Sequence, residues 1–173
     1  MSNAFNIFKS RLAIRIISVV AVVLWMGVIF AFSAQNSTDS GHTSDALEEV
    51  VIKVTTDDID SKPQKEQNII RTTVFEVVRT SAHFICFAVL GALTLIALLT
   101  YRMKFCVKVI ISTAFSVLYA VSDEIHQRFV PGRTFEWSDI GFDTLGVACG
   151  VAVVCLIAYI VSLKRKSRTE KEI

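Results

Sequence analysis

Long apolar runs alternate with short polar clusters along the chain, and four of the runs are of membrane-spanning length. They cover about 12–33, 80–100, 105–123 and 140–163. A helix needs about 20 residues to cross a bilayer, within a range near 17–25, and all four qualify. Lys108 lies near one end of the third run, where its stem can snorkel toward the interface. The fourth run is uncharged from Thr144 to Leu163. The pattern predicts an all-α fold, an integral membrane bundle of four transmembrane helices, with the whole chain 1–173 as one membrane domain.

The connection 34–79 has a pattern of its own. Leu47, Val50, Val51 and Val54 recur at helical spacing, with Glu48, Glu49 and Lys53 on other faces and Ser44 in position to cap. A polar break at Asp57–Gln67 contains Pro63. Beyond it Ile70, Val74, Val77 and Val78 share a stripe that runs into the second span. An extra amphipathic helix lying on the outer interface is expected in this first outer loop, followed by a long helix entering the membrane.

The composition agrees. Residues are 53% hydrophobic, with a mean hydropathy of +0.54, above ordinary globular usage. The net charge of +2 and the lack of a basic stripe with interleaved aromatics exclude nucleic acid as a partner. Charge placement is more informative than charge total. Lys9, Arg11 and Arg15 precede span one; Arg102, Lys104 and Lys108 surround the second connection; Lys164, Arg165, Lys166 and Arg168 follow span four as a basic tail, 164–173. The 34–80 segment is acid-rich instead, from Asp39 to Glu76. The positive-inside rule then sets both termini in the cytoplasm of a multi-pass cell-membrane protein. Ala31-Phe32-Ser33 has the form of a signal cleavage site, but the run before it exceeds the usual apolar core of a leader, so an uncut span is expected.

Cys86, Cys106, Cys149 and Cys155 lie in or beside apolar segments, with no CxxC and no zinc spacing, and are expected as small buried hydrophobes.

The chemistry gathers at the outer ends of the spans. An ionisable group facing lipid costs about 2.5–3.5 kcal/mol even on the lenient scale, so polar groups collected there form a site hypothesis. Ser33 and Gln35 end span one, and Arg79 and His83 share a face at the start of span two. Asp123, His126 and Gln127 share a face at the end of span three, with Glu124 pointing elsewhere. Pro131-Gly132 signals a turn that aims Arg133 back at the helix ends. Asp139 and Asp143 enter span four on a face continuing to Gly146 and Gly150, a Gly-x-x-x-Gly pair suited to close helix packing. No metal is expected, because Glu124 and His126 sit about 200° apart on a helix. An anion site fits better. His83, Asp123, Glu124 and His126 are the catalytic candidates, acting as acid, base or orienting groups. Ser33, Gln35, Arg79, Gln127, Arg133, Asp139 and Asp143 are the substrate-binding candidates, with forked arginines for a phosphate or carboxylate. Ser33 and Ser122 are the hydroxyls best placed, neither with a nucleophile signature. The competing reading is an ion network that only ties helix ends together. The residues name no cofactor and leave open whether a reaction occurs.

Three blocks carry a resemblance: Phe32-Ser33-Ala34-Gln35, Arg79-Thr80-Ser81-Ala82-His83-Phe84, and Tyr119 through Arg133 followed by Asp139 and Gly146. In these the chain resembles the VanZ-like family of membrane proteins, named after a teicoplanin-resistance factor. It departs at Ala34, at Cys86-Phe87, where members often have Glu-Tyr, and at Asp143, often asparagine. The resemblance implies a cell-envelope role that affects glycopeptide susceptibility. Besides the bilayer, the partners it suggests are a lipid-linked cell-wall precursor or a lipoglycopeptide.

Overall fold

A computed structural model describes residues 2–34, 49–56, 59–131, 133 and 135–171. Four long helices dominate: α1 (Ser2–Ser33), α2 (Gln64–Leu99), α3 (Phe105–Gln127) and α4 (Trp137–Lys171). Each is long and apolar enough to cross a membrane. No strand occurs among the described residues. Residues 49–55 are helical, with Ile52 buried and Val50 and Val54 of the expected apolar stripe exposed. Ser44 and Leu47 lie outside the described residues.

Pro63 starts α2, since its fixed φ and missing N–H suit an entry position. The helix then runs 36 residues, about 54 Å at 1.5 Å per residue. That exceeds the roughly 30 Å hydrocarbon core, so its first half extends beyond the bilayer. The long helix therefore begins inside the stretch read as a polar break.

The most extensive helix pair is α2 with α4. Its seam is built from small residues: Gly146 lies against the Phe84 carbonyl and Gly150 against the Ala88 carbonyl. A methyl group on Gly91 would lie 2.8 Å from the Val147 carbonyl oxygen. In lipid no hydrophobic drive separates helix from helix, so backbone-to-backbone packing supplies much of the association. The α1 helix docks mainly on α2. Trp25 Nε1 donates to the Cys86 carbonyl at 2.8 Å, and Tyr119 Oη donates to the Met26 carbonyl at 2.7 Å. Phe87, Leu90, Leu95 and Val147 form the fully buried centre.

The carboxyl end of α2 is closed by cations. Arg15 Nε donates to the Thr100 carbonyl at 3.2 Å, and Lys108 Nζ reaches the Leu99 carbonyl at 3.4 Å. Cations there complement the negative end of the helix dipole. Lys108 is thus buried against α2 and does not snorkel outward, because an orphan carbonyl lies within reach. The cysteines also depart from expectation. All four are free thiols, but Cys106 and Cys149 lie on exposed helix surface and only Cys86 and Cys155 are half-buried.

Candidate functional site

The polar residues converge because the helices run up and down. The end of α1, the middle of α2, the end of α3 and the start of α4 meet at one pole, opposite Arg15 and Lys108. Helix α3 continues through Gln127. A Val130 carbonyl to Arg133 N–H bond of 3.2 Å then closes the turn that returns Arg133 toward the bundle.

One chain of hydrogen bonds ties three of these parts together. Ser33 Oγ donates to Asp123 Oδ2 at 2.7 Å. Gln127 Nε2 donates to the same oxygen at 2.9 Å. Arg133 Nη1 donates to Gln127 Oε1 at 3.0 Å. A second connection joins α2 to α4: Arg79 Nη2 pairs with Asp139 Oδ2 at 2.9 Å, while Nη1 reaches Glu76 at 3.2 Å. Ser33, Asp123, Glu124, Gln127 and Asp143 are all buried.

Three buried atoms at this pole lack a hydrogen-bond partner: Asp123 Oδ1, Asp143 Oδ1 and His126 Nε2. Buried polar atoms are nearly always paired, so orphans mark hydrogen-bonding capacity that the fold itself does not use. Arg133 is half-buried, and among the described residues no carboxylate comes within ion-pair distance of it. Burial first, then the nearby charge of Arg79, pull its guanidinium below the ordinary value. Electrostatically, His83 feels Arg133 and Arg79, and Asp143 feels Asp123, Asp139 and Glu124.

Compared with known proteins, the sequence profile of VanZ/LLP1 matches residues 18–159. The chain belongs to the VanZ/LLP1 family. The match takes in the second and third spans whole, most of the first and fourth, and every block that carried the resemblance. VanZ membership makes this a multi-pass membrane protein of a family linked to glycopeptide resistance. No curated protein and no solved structure matches the chain.

Among this VanZ/LLP1 member's site candidates, Gln35 lies outside the described residues. Glu124 is fully buried, and its Oε1 accepts the Glu136 backbone N–H at 2.8 Å. The carboxyl end of α3 is flanked on both sides, by α1 at Asp123 and by the entry to α4 at Glu124, so two adjacent residues both face inward. Ser122 is exposed and bonds its own helix at the Tyr119 carbonyl, which removes it from the site. Two contributors were missed. Phe30 stacks on His126 with centroids 4.6 Å apart, and its spacing of three from Ser33 was a legible sign of a shared face. Glu76, three residues before Arg79, was legible in the same way. No three His, Cys, Asp or Glu side chains among the described residues are grouped to hold a metal ion.

Proposed function

We propose that this pole faces away from the cytoplasm and acts on a lipid-linked or phosphate-bearing envelope substrate, thereby affecting glycopeptide susceptibility. The observation that carries this reading is Arg133, a half-buried cation held by the neutral amide of Gln127. A guanidinium in that state presents its remaining donors to a phosphate or carboxylate. Arg79, anchored by Asp139, adds positive charge to the same pole. His126 and His83 are the acid and base candidates, and Asp123, fixed by two donors, orients or accepts a proton. The outward assignment is supported by the basic patches of the opposite pole, which the positive-inside rule associates with the cytoplasmic side. The helical segment 49–55, if it lies on the outer interface, would sit beside the entrance.

The second reading is a binding module without turnover, which shields or scaffolds a lipid-linked precursor or holds a lipoglycopeptide. It is favoured by the state of the hydroxyls: Ser33 is fully buried and committed to Asp123, and Ser122 faces outward.

Incubating the purified chain with envelope lipids and following them by mass spectrometry separates the two. A chemically altered phosphate-bearing lipid, lost in His126→Ala, supports the enzyme; an unaltered lipid retained by wild type and released by Arg133→Gln supports the module. Equal retention by wild type and Arg133→Gln, with no altered lipid, would end both.

A further inference from the structure

The opposite pole is a concentration of positive charge without acid. No Asp or Glu occurs in residues 1–34 or 99–122, and after Asp143 the next acid in α4 is Glu170. Arg15 is held by two contacts there. Its Nε bonds the Thr100 carbonyl at 3.2 Å, and its guanidinium lies 4.9 Å from the Tyr101 ring centroid. Those two contacts fix the plane of the fork and leave the two terminal nitrogens as a paired donor edge. Arg11 lies one helical turn away on α1, and Arg102 and Lys104 are exposed in the connection between α2 and α3.

Depth matters as much as charge. Arg15 immediately precedes the apolar run that starts at Ile16, and Tyr101 follows the end of α2 at Leu99. Both residues therefore sit at the membrane boundary, where lipid phosphates lie and where aromatic rings anchor. Apolar neighbours flank them: Ile16 is 55% and Phe105 45% exposed, surface that acyl chains cover. Basic pockets between spanning helices bind anionic headgroups by this combination of fixed cations and adjoining apolar wall.

We propose that the basic cluster of Arg15, Arg102 and Lys104 beside Tyr101 holds the phosphodiester of an anionic glycerophospholipid in the leaflet at that pole. Net charge sets the choice. A choline lipid brings its own cation into a site that already has several, whereas an anionic lipid brings an unpaired phosphate. Free phosphate lacks the acyl chains that the apolar flank receives. The site is independent of the polar pole around Arg133.

The test uses the full chain in a neutral detergent, with thermal unfolding and native mass spectrometry in the presence of phosphatidylglycerol, phosphatidylcholine or inorganic phosphate. Phosphatidylglycerol is expected to raise the unfolding temperature and remain bound, and the other two are not. The double variant Arg102→Gln/Lys104→Gln removes cations with no role in the fold. It should weaken phosphatidylglycerol binding roughly 25-fold, about fivefold per charge. Arg15→Lys keeps charge and loses the fork, so it should weaken binding less than the double variant. Equal stabilisation by phosphatidylcholine or free phosphate, or wild-type affinity in the Arg102→Gln/Lys104→Gln protein, overturns the proposal.

Discussion

Arg133 meets Gln127, an amide, where a carboxylate might have been expected, with Nη1 3.0 Å from Oε1. The same amide turns its nitrogen to Asp123 Oδ2 at 2.9 Å. A carboxamide is the side chain suited to this place, since it offers an acceptor to the cation and a donor to the carboxylate. Gln127 thereby keeps two opposite charges apart. Neither is cancelled by the other, and both stay available to a third group.

Gln127→Glu tests that separation. The new carboxylate pairs with Arg133 and crowds Asp123, so retention of a phosphate-bearing lipid should fall at least tenfold, about 1.4 kcal/mol. Helix content by circular dichroism should hold, because position 127 remains a good helix former. Gln127→Ala does something different: it strands two buried partners at about 1–3 kcal/mol and lowers the unfolding temperature. Undiminished retention by Gln127→Glu would show that Arg133 does not meet the ligand.

Ser33 and Asp123 form the link between α1 and α3, at 2.7 Å and fully buried. A hydrogen bond to a charged acceptor contributes about 1.5–3 kcal/mol. Ser33→Ala should therefore destabilise by that order, and much less in an Asp123→Asn background. A double-mutant cycle measured by unfolding in detergent reads the coupling. Additive losses would mean that the bond contributes nothing.

The α2–α4 seam predicts a steep size dependence. Gly150 and Gly146 rest on the backbone carbonyls of Ala88 and Phe84, which cannot move aside as a side chain does. Gly150→Leu should cost at least the about 1–3 kcal/mol typical of overpacking and also loosen Asp143 and Asp139, about two and three turns away. Gly27 has nothing within 4 Å of an added Cβ. Gly27→Ala should be neutral or stabilising by about 0.5–1 kcal/mol, as expected of Gly replaced within a helix. Unfolding temperatures of the two variants check both statements.

The Gly-x-x-x-Gly contact was legible because it depends on spacing along one helix, and so were the spans. That Glu124 is buried alongside Asp123 was not legible, because a single helical wheel has one inner face. At the carboxyl end of α3 two different neighbours make two inner faces, and only the assembled bundle has both. Lys108 was misread for a related reason. From sequence it is a cation near a membrane edge, yet in the fold the unsatisfied end of α2 lies within its reach. Phe30 went unnoticed as one more apolar residue in an apolar run. Its spacing of three from Ser33 marked a shared face, but what that face meets shows only in its contact with His126.

That contact supports the last prediction. Phe30 covers one face of the His126 ring at 4.6 Å, and Nε2 of that ring is buried without a partner. Stacking fixes the plane of the ring and so the direction in which Nε2 points, while contributing about 0.5–1.5 kcal/mol. Phe30→Ala should lower activity or binding by releasing the ring, at a small cost in stability. Phe30→Tyr should preserve both, because it keeps the aromatic face. His126→Ala should abolish function outright with membrane level and unfolding temperature near wild type, since Nε2 makes no bond within the fold. Glycopeptide susceptibility of cells expressing each variant, read beside protein level in the membrane fraction, provides the measurement. If Phe30→Ala and His126→Ala both leave susceptibility at the wild-type value, the His126 ring has no part in what the site does.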